Sequence, residues 1–328
     1  MASGPLILSV GIVSFNRLKY LRVLIRSLRE CLEHSSVEYL LADGGSWETG
    51  HSEYRESLRN FRVRSIPETH ADSVNWILRN ARGRYLLLLP EDIQFFRKGP
   101  WIRDCLELLD ATPEAGMVVF DAQRRQTIRN QLMERPLRMW GRRAPFFRLR
   151  RQPNCFVGSS GEEFFSAGDS RDGVSTAGIM SLSRMDLWRE IGPFRATKRA
   201  GEAADNDSSL GAEDEMIQRI RKHPKFSNLE AYLMKHPTAA DIITDPRGTK
   251  AKIRLGHRRY GRYADPPMGD YYYRLRPAED RPPPPDPFPV WSFEDWVEPV
   301  GWTLPMDHRG GLRKTSVISE SEPWENVG

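Results

Sequence analysis

The sequence lacks the features that would place it among disulfide-rich secreted proteins, zinc proteins or membrane-spanning proteins. Its 328 residues include three cysteines, Cys31, Cys105 and Cys155, which are scattered and form no CxxC pair. This spacing argues against a disulfide framework or a zinc site, and it favours a reducing cytoplasm as the location. No apolar run approaches the roughly 20 residues that a membrane-spanning helix needs. The apolar start, Met1 to Phe15, lacks a basic n-region, so we expect a first strand there and not a signal peptide.

The composition suits a soluble globular protein with a polar excess. Hydrophobic residues make up 39% of the chain and charged residues 28%, and the length allows one large domain or two modest ones. No internal repeat is visible. The net charge of +5 favours anionic partners, and nucleotides, membrane surfaces and nucleic acids all qualify. Peripheral association with a membrane surface is therefore compatible with the predicted cytoplasmic location.

One apolar run ends directly in acidic residues. Tyr85 to Leu89 reads as a strand buried on both faces, as strands of a parallel sheet are. Pro90, Glu91 and Asp92 follow it, at the end of the strand where open α/β sheets bind ligands. A carboxylate there is well placed to hold a divalent cation and, through it, a phosphate. The alternative is a polar turn that only leads out of a core strand.

Strands and helices alternate through the first third of the chain, which predicts a mostly parallel α/β sheet flanked by helices. Asn16 is a candidate N-cap of the first helix, and Thr69 or Asp72 of a later one. The predicted strands are Leu6 to Ser14, Val37 to Ala42, Phe61 to Ile66, Tyr85 to Leu89 and Met117 to Phe120.

The second third begins with a basic stretch and then returns to regular structure. Ten arginines lie between Arg124 and Arg151, interleaved with aromatic residues. Ser175 to Ser183 is predicted as a strand and Arg184 to Ile191 as a helix. Lys198 to Gly211 is small and polar, which indicates a mobile loop, and a helix opens at Gly211. A short strand near Glu230 to Met234 precedes His236.

The last part of the chain has a different composition. A second basic segment spans Arg247 to Arg262, and the chain turns rich in proline and tryptophan from Asp265. We expect this tail to be extended, either wrapped over the domain or largely disordered. The predicted organisation is a domain over residues 1–264, with halves 1–122 and 123–264, and a C-terminal extension over 265–328.

Three polar turns follow three predicted strands: Ser14 to Arg17, Asp43 to Ser46, and Glu91 with Asp92. Their order and spacing resemble the GT-A glycosyltransferases, especially the large family 2 group. Those proteins carry an Asp-x-Gly-Ser loop after the second strand, then an Asn-bearing helix and a strand capped by Asp-x-Asp. The segment from Asp72 to Tyr85 resembles that helix and its lead-in.

The second half continues the likeness, so that it spans about Leu6 to His236 and leaves the tail uncovered. Thr176 to Met180 and Gly192 to Phe194 resemble the acceptor-side strand and its Gly-x-Phe turn, and Gly211 to Asp214 resembles the Glu-Asp motif.

The resemblance implies that the chain transfers a sugar from a UDP-, GDP- or dTDP-linked donor to an acceptor hydroxyl. Asp43 would hydrogen-bond the nucleotide base, and Ser14 and Asn16 would line the base and ribose pocket. Turn formation and N-capping are the rival roles of Asp43 and Asn16. Asp92 would bind Mg²⁺ or Mn²⁺ bridging the diphosphate, and Glu91 would belong to the same nucleotide-sugar site.

The remaining roles concern the acceptor and a further ligand. Asp214, or Glu213, would take the proton of the acceptor hydroxyl in a single displacement that inverts the sugar carbon. The alternative for both acids is stabilisation of a helix N-terminus. His236 would supply a further metal or phosphate contact, against a structural role as the alternative. Asn75 is expected to support helix packing and not the reaction.

One position departs from the family pattern. Pro90 stands where the first acid of Asp-x-Asp is expected, and proline cannot bind a metal. Either Glu91 supplies the second carboxylate, or one carboxylate with diphosphate and water suffices, because Mg²⁺ keeps several waters. The departure keeps a second hypothesis open, in which a catalytically weak relative binds only a nucleotide or a partner protein.

Other readings follow from the arginine-rich stretch, Arg124 to Arg151. It suits an anionic acceptor or a lipid-phosphate surface, or it is only a solvated basic face. With Trp140 and Phe147 it would also suit a nucleic acid, but that reading leaves the ordered acids unexplained. A sugar nucleotidyltransferase is disfavoured, because Leu8 to Arg17 contains Gly11 alone and no glycine-rich phosphate loop.

Overall fold

The computed structural model describes residues 7–120, 155–169, 178–195, 209–242, 271, 273–282 and 293–300. The arginine-rich stretch and the second basic segment lie outside these residues, as does most of the predicted loop from Lys198 to Gly211.

In chain order the elements are β1 Leu8–Ser14, α1 Leu18–Cys31, β2 Val37–Asp43, α2 His51–Ser57, β3 Phe61–Ser65, α3 His70–Asn80, β4 Tyr85–Pro90, β5 Ile93–Phe95, α4 Trp101–Ala111, β6 Ala115–Val119, β7 Cys155–Val157, β8 Glu163–Asp169, β9 Ser181–Arg184, α5 Met185–Ile191, α6 Ser209–Lys222, β10 Glu230–Met234, β11 Ala239–Asp241, β12 Tyr273–Leu275, a 3₁₀ turn Ala278–Asp280, α7 Phe293–Trp296 and β13 Val297–Pro299.

Nine of these strands form one central sheet in the order β3-β2-β1-β4-β9-β6-β10-β8-β7. The first four are mutually parallel, and β6 is parallel to β10. Only β8 and β9 run against the rest, because each of their pairings is antiparallel. The predicted fold class, a mostly parallel sheet with flanking helices, is confirmed.

Helices cover both faces of the sheet, and β4 shows this most directly. Leu87 and Leu89 point into a core shared with α1 and α4, whereas Leu86 and Leu88 point into a core shared with α3, α5 and α6. All four leucines are fully buried. The unbroken apolar run therefore reflects burial on two faces, as the sequence predicted.

Helix α3 lies unusually close to β1. An added Cβ at Gly11 would meet the side chain of Ile77 at 2.4 Å, so a larger residue there would push the helix away from the sheet. The first residue of α3, His70, is next to the capping residue Thr69, whose hydroxyl oxygen accepts the N–H of Asp72 at 3.2 Å. Of the two N-caps considered, Thr69 is therefore correct.

The described part of the tail packs on the domain. Strands β12 and β13 pair with each other, and Tyr273 and Trp296 pack in one cluster with Tyr20 and Val23 of α1. The Gln94 amide donates to the Tyr273 carbonyl at 2.8 Å and accepts its N–H at 3.1 Å. These segments therefore wrap over α1 and β5. The division between domain and C-terminal extension at residue 264 stays a prediction.

Several boundaries differ from those predicted. The strand expected from Ser175 begins at Ser181, because Gly178 and Met180 have positive φ angles of 157° and 62°. Helix α6 starts at Ser209, two residues before Gly211, so the polar loop is shorter than expected. No sequence pattern predicted α2, β5, β7, β11 or the longer strand β8, nor the short elements β12, α7, β13 and the 3₁₀ turn of the tail.

Candidate functional site

The carboxyl ends of β1, β2 and β4 meet at one edge of the sheet. Strand β1 lies between the other two, with Ser14 paired to Asp43 and Val13 paired to Pro90. The three polar turns predicted from the sequence are therefore neighbours in space. Their side chains form two groups, one centred on the Glu91–Asp92 pair and one on Asp43.

The Glu91–Asp92 pair is held by an arginine. Nη1 of Arg17 lies 2.9 Å from Oε1 of Glu91 and 2.8 Å from Oδ2 of Asp92. All three side chains are less than a tenth exposed. Sequence analysis placed Arg17 in the first polar turn but assigned it no role, because nothing in the pattern shows that it reaches the end of β4.

The turn that carries Arg17 has a strained backbone. Asn16 has φ 45° and Arg17 has φ 137°, conformations that non-glycine residues rarely adopt. Glu48 stabilises this turn, since its Oε2 accepts the N–H of Arg17 at 2.8 Å and that of Leu18 at 2.6 Å. Glu48 thereby satisfies the first N–H groups of α1.

The alternative role considered for Asn16, N-capping of α1, is wrong. The residue before α1 is Arg17, and it makes no side-chain cap. Asn16 instead connects two loops: its N–H donates to the Ser46 hydroxyl at 2.7 Å, and its Oδ1 accepts the N–H of Trp47 at 3.0 Å. Asn16 thus joins the turn after β1 to the turn after β2.

Asp43 is fully buried and rich in hydrogen-bond partners. Its carboxylate accepts the N–H of Ser46 at 3.1 Å, the Ser65 hydroxyl at 2.5 Å and Nη1 of Arg55 at 2.7 Å. The Ser46 hydroxyl donates as well. The structure therefore shows Asp43 in its turn-forming role, and contact with a nucleotide base would require exchange of one of these bonds.

The short helix α2 supplies two partners that sequence analysis missed. Arg55 contacts both Asp43 and Nδ1 of His51, at 2.7 and 3.0 Å. Burial lowers the pKa of His51, and Asp43 works in the opposite direction. A helix of seven mostly polar residues has no apolar stripe to reveal it, so neither partner had a signal in the sequence.

Polar atoms in the turn after β1 remain available for a ligand. Within the residues that the structure describes, Oγ of Ser14 and Nδ2 of Asn16 are buried and make no hydrogen bond. Buried polar groups are nearly always satisfied, so each such atom in a native structure needs an explanation. Both residues were predicted from sequence to line the base and ribose pocket.

His70 is a further neighbour that sequence analysis did not single out. Burial lowers its pKa to about 4, Asp92 opposes that effect and Arg17 reinforces it. The lowered pKa favours the neutral imidazole form of His70, which senses the charges of both Asp92 and Arg17. It is the first residue of α3, which also carries Asn75.

The predicted catalytic acids, Glu213 and Asp214, belong to α6, but their side chains lie outside the described part of the structure. The helix itself is placed: Met216 and Ile220 pack in one cluster with Val74 of α3. The predicted helix that bears the acids therefore exists and contacts the helix that begins at His70.

His236 lies in a separate set of contacts. Its N–H donates to Oε1 of Glu162 at 2.9 Å, and its Nδ1 lies 3.2 Å from Oε2 of the same carboxylate. Glu162 also pairs with Arg97 at 2.6 Å, and the His236 ring packs on Trp296 with centroids 4.8 Å apart. These contacts match the structural alternative, and a metal or phosphate role for His236 stays a prediction.

The donor chemistry of the Glu91–Asp92 pair suits a divalent cation. Two carboxylate oxygens converge on one positively charged atom, Nη1 of Arg17, and Mg²⁺ and Mn²⁺ prefer oxygen ligands. Among the described residues, no group of three or more His, Cys, Asp or Glu side chains is placed to hold a metal. The remaining ligands would be water and the diphosphate, and Arg17 would have to move.

The part of the chain that contains these turns is similar to a known family. Residues 9–168 match the model of "Glycosyl transferase family 2". This segment is therefore similar to glycosyl transferase family 2. The match includes β1, β2 and β4 with the polar turns that follow them, and it ends in β8, before α6. No curated protein matches the chain.

Solved structures that match the chain include two glycosyltransferase complexes. One is S. aureus TarS 1-349 in complex with UDP-GlcNAc, with 14% identity, a TM-score of 0.45 and coverage of 76% of this chain. The other is the mannosyltransferase PcManGT from Pyrobaculum calidifontis in complex with GDP-Man and Mn²⁺, with 15% identity, a TM-score of 0.45 and coverage of 77%. The chain spans 65% and 61% of the length of these structures. At such low identity they do not determine its donor, metal or acceptor.

No helix within the described residues is both long and apolar enough to cross a bilayer.

Proposed function

We propose that this chain transfers a sugar from a nucleotide-diphosphate donor to an acceptor hydroxyl. The observation that carries the proposal is the meeting of Ser14, Asp43 and Asp92 at one sheet edge, inside the segment that matches glycosyl transferase family 2. Ligands of open α/β sheets bind at this end of the strands.

The nucleoside would bind over the ends of β1 and β2. Oγ of Ser14 and Nδ2 of Asn16, which lack partners among the described residues, supply one donor-acceptor group and one donor. Asp43 would contact the base by exchanging the Ser65 hydroxyl for a base N–H. The donor would be UDP-, GDP- or dTDP-linked.

The diphosphate would lie near Glu91 and Asp92. These carboxylates would hold Mg²⁺ or Mn²⁺, with His236 as a candidate further contact. When bound, such an ion neutralises the negative charge that develops on the leaving diphosphate. Arg17, released from the carboxylates, would offer its guanidinium fork to a phosphate.

The acceptor side would be served by α6. Asp214, with Glu213 as the second choice, would accept the proton of the acceptor hydroxyl as its oxygen bonds to the sugar carbon and the bond to the diphosphate breaks. A single displacement of this kind inverts the configuration at that carbon. An anionic acceptor would suit the arginine-rich stretch, Arg124 to Arg151.

The test is a melting screen of the full chain against UDP-, GDP- and dTDP-sugars, with and without Mn²⁺, followed by transfer assays. Selective binding raises the melting temperature by mass action and identifies the donor. Asp92→Ala should abolish the Mn²⁺-dependent shift. Asp214→Asn should keep the shift and stop transfer, and Asp186→Asn, an exposed first-turn acid of α5, is the matched control.

Two results would count against the proposal. If Asp214→Asn transferred sugar at the wild-type rate, Asp214 would not be the catalytic base. A donor-induced shift without transfer to any acceptor or to water would favour the second candidate, a catalytically weak nucleotide-binding relative. Pro90, which ends β4 where the family has an acid, is the observation that favours this candidate.

A further inference from the structure

Nη1 of Arg17 lies between Glu91 and Asp92, the two carboxylates proposed above to hold a metal. We infer that Arg17 is a built-in cation that holds Glu91 and Asp92 together without metal and competes directly with a divalent ion for them. The inference deepens the proposed function, because it concerns the metal ligands of that site. It is tested by metal binding alone, with no donor, acceptor or turnover.

The geometry of the contact supports this role. The same nitrogen, Nη1 of Arg17, contacts a carboxylate oxygen of Glu91 at 2.9 Å and one of Asp92 at 2.8 Å. Two adjacent carboxylates that are almost fully buried repel each other, and burial adds a cost to both charges. A positive charge between them removes most of that penalty, so the pair is preorganised for a cation while none is bound.

The backbone fixes Arg17 in this position. Its φ of 137° and the φ of 45° at Asn16 are held by the Glu48 carboxylate and by the Asn16 bonds to the loop after β2. Strained residues persist where the surrounding contacts over-determine them, often at ligand-binding turns. The side chain is 4% exposed, so the contact is not a surface ion pair whose partners exchange freely with water.

A divalent ion therefore enters only when Arg17 leaves. The displaced guanidinium needs another anion, and the donor diphosphate would supply one with matching geometry. Metal alone should consequently bind weakly to the wild-type chain. Replacement of Arg17 by a neutral side chain should strengthen metal binding, because it removes the positive charge that competes with the ion for the two carboxylates.

The experiment is a titration of the full chain with Mn²⁺ in the absence of nucleotide, with free Mn²⁺ measured by electron paramagnetic resonance. Arg17→Gln should bind Mn²⁺ about tenfold or more tightly than the wild type, since it removes a buried competing charge. Arg17→Gln/Asp92→Asn should lose this gain. Arg64→Gln breaks the ion pair of another arginine, with Glu68 at 2.8 Å, away from the candidate metal ligands, and should leave Mn²⁺ affinity unchanged.

Thermal melting gives a second readout. Arg17→Gln should melt below the wild type without metal and should be stabilised by Mn²⁺ more than the wild type is. If Arg17→Gln does not fold, Arg17→Lys carries the test: a lysine keeps the charge without the guanidinium fork, so a smaller gain of about threefold is expected. Wild-type Mn²⁺ affinity in the folded Arg17 variant would overturn the inference. Failure of sugar transfer alone would overturn the proposed function and not this inference.

Discussion

Asn75 and Phe194 are joined by two hydrogen bonds across 119 positions of the sequence. Nδ2 of Asn75 donates to the Phe194 carbonyl at 2.8 Å, and the Phe194 N–H donates to Oδ1 of Asn75 at 2.7 Å. The amide therefore fixes the Gly-x-Phe turn to α3, which confirms the expected packing role of Asn75.

Replacement of this amide should be costly. Asn75→Ala leaves a buried N–H and a carbonyl of Phe194 without partners, so we expect a loss of about 2–3 kcal/mol in the free energy of unfolding. Urea denaturation would measure it. Asn80→Ala, in the same helix, removes a side chain that bonds to the nearby Trp76 carbonyl and to Arg62, and it should cost clearly less. Equal losses would show that the Asn75–Phe194 pair contributes no more to stability than the local bonds of Asn80 do.

Ser14 and Ser9 offer a matched comparison within β1. The Ser9 hydroxyl donates to Glu38 at 2.6 Å and accepts the N–H of Gly83 at 2.9 Å, whereas Ser14 Oγ has no partner among the described residues. Ser9→Ala should lose about 1–3 kcal/mol of stability and keep nucleotide binding. Ser14→Ala should keep stability and weaken nucleotide binding in calorimetric titrations. The reverse pattern would remove Ser14 from the site.

Asp43 should be important for stability whatever its role toward a nucleotide. Asp43→Ala would leave Arg55 and several donors without their buried acceptor, and loss of one partner of a buried ion pair costs about 3–5 kcal/mol. Asp72→Ala removes an exposed acid bonded to Thr69 and should cost well under half of that. Similar melting temperatures for the two variants would contradict the network assigned to Asp43.

Glu162 should make stability dependent on acid pH. Burial acts to raise the pKa of Glu162, but hydrogen bonds from His236 and the charge of Arg97 outweigh it, so the pKa lies below the ordinary 4.5. A lowered pKa gives stability that is present above pH 4.5 and is lost as the pH falls through the folded value.

The variant Glu162→Gln tests this dependence. It should be less stable than the wild type at pH 7, and the difference should shrink as the pH falls below 4.5, as measured by urea denaturation at several pH values. A constant difference across that range would mean that the Glu162 charge does not contribute.

The sequence predicted the elements whose pattern follows from burial. Tyr85 to Leu89 is predictable as a strand because both faces of β4 are covered, which makes the apolar run unbroken. Helix α2 and strand β5 were missed because seven and three residues are too few to show a period.

Contacts between distant residues were beyond the same reasoning. Arg17 and Asp92 are 75 positions apart, and no local pattern shows that the strained turn after β1 directs one toward the other. The acids were found because they end a strand, whereas the cation that neutralises them was not. The part of the site that depends on chain order was predictable, and the part that depends on tertiary contacts was not.

Helix α1 has two apolar faces. One packs against the sheet, and the other packs beneath Tyr273 and Trp296 of the tail through Tyr20 and Val23. A protease that removed the tail would uncover the second side and strip the Gln94 amide of both its bonds to Tyr273, next to the strand that begins at Ile93. The trimmed protein would therefore tend to self-associate through this exposed face. Strand β5, which directly follows Asp92, would also lose stabilising hydrogen bonds.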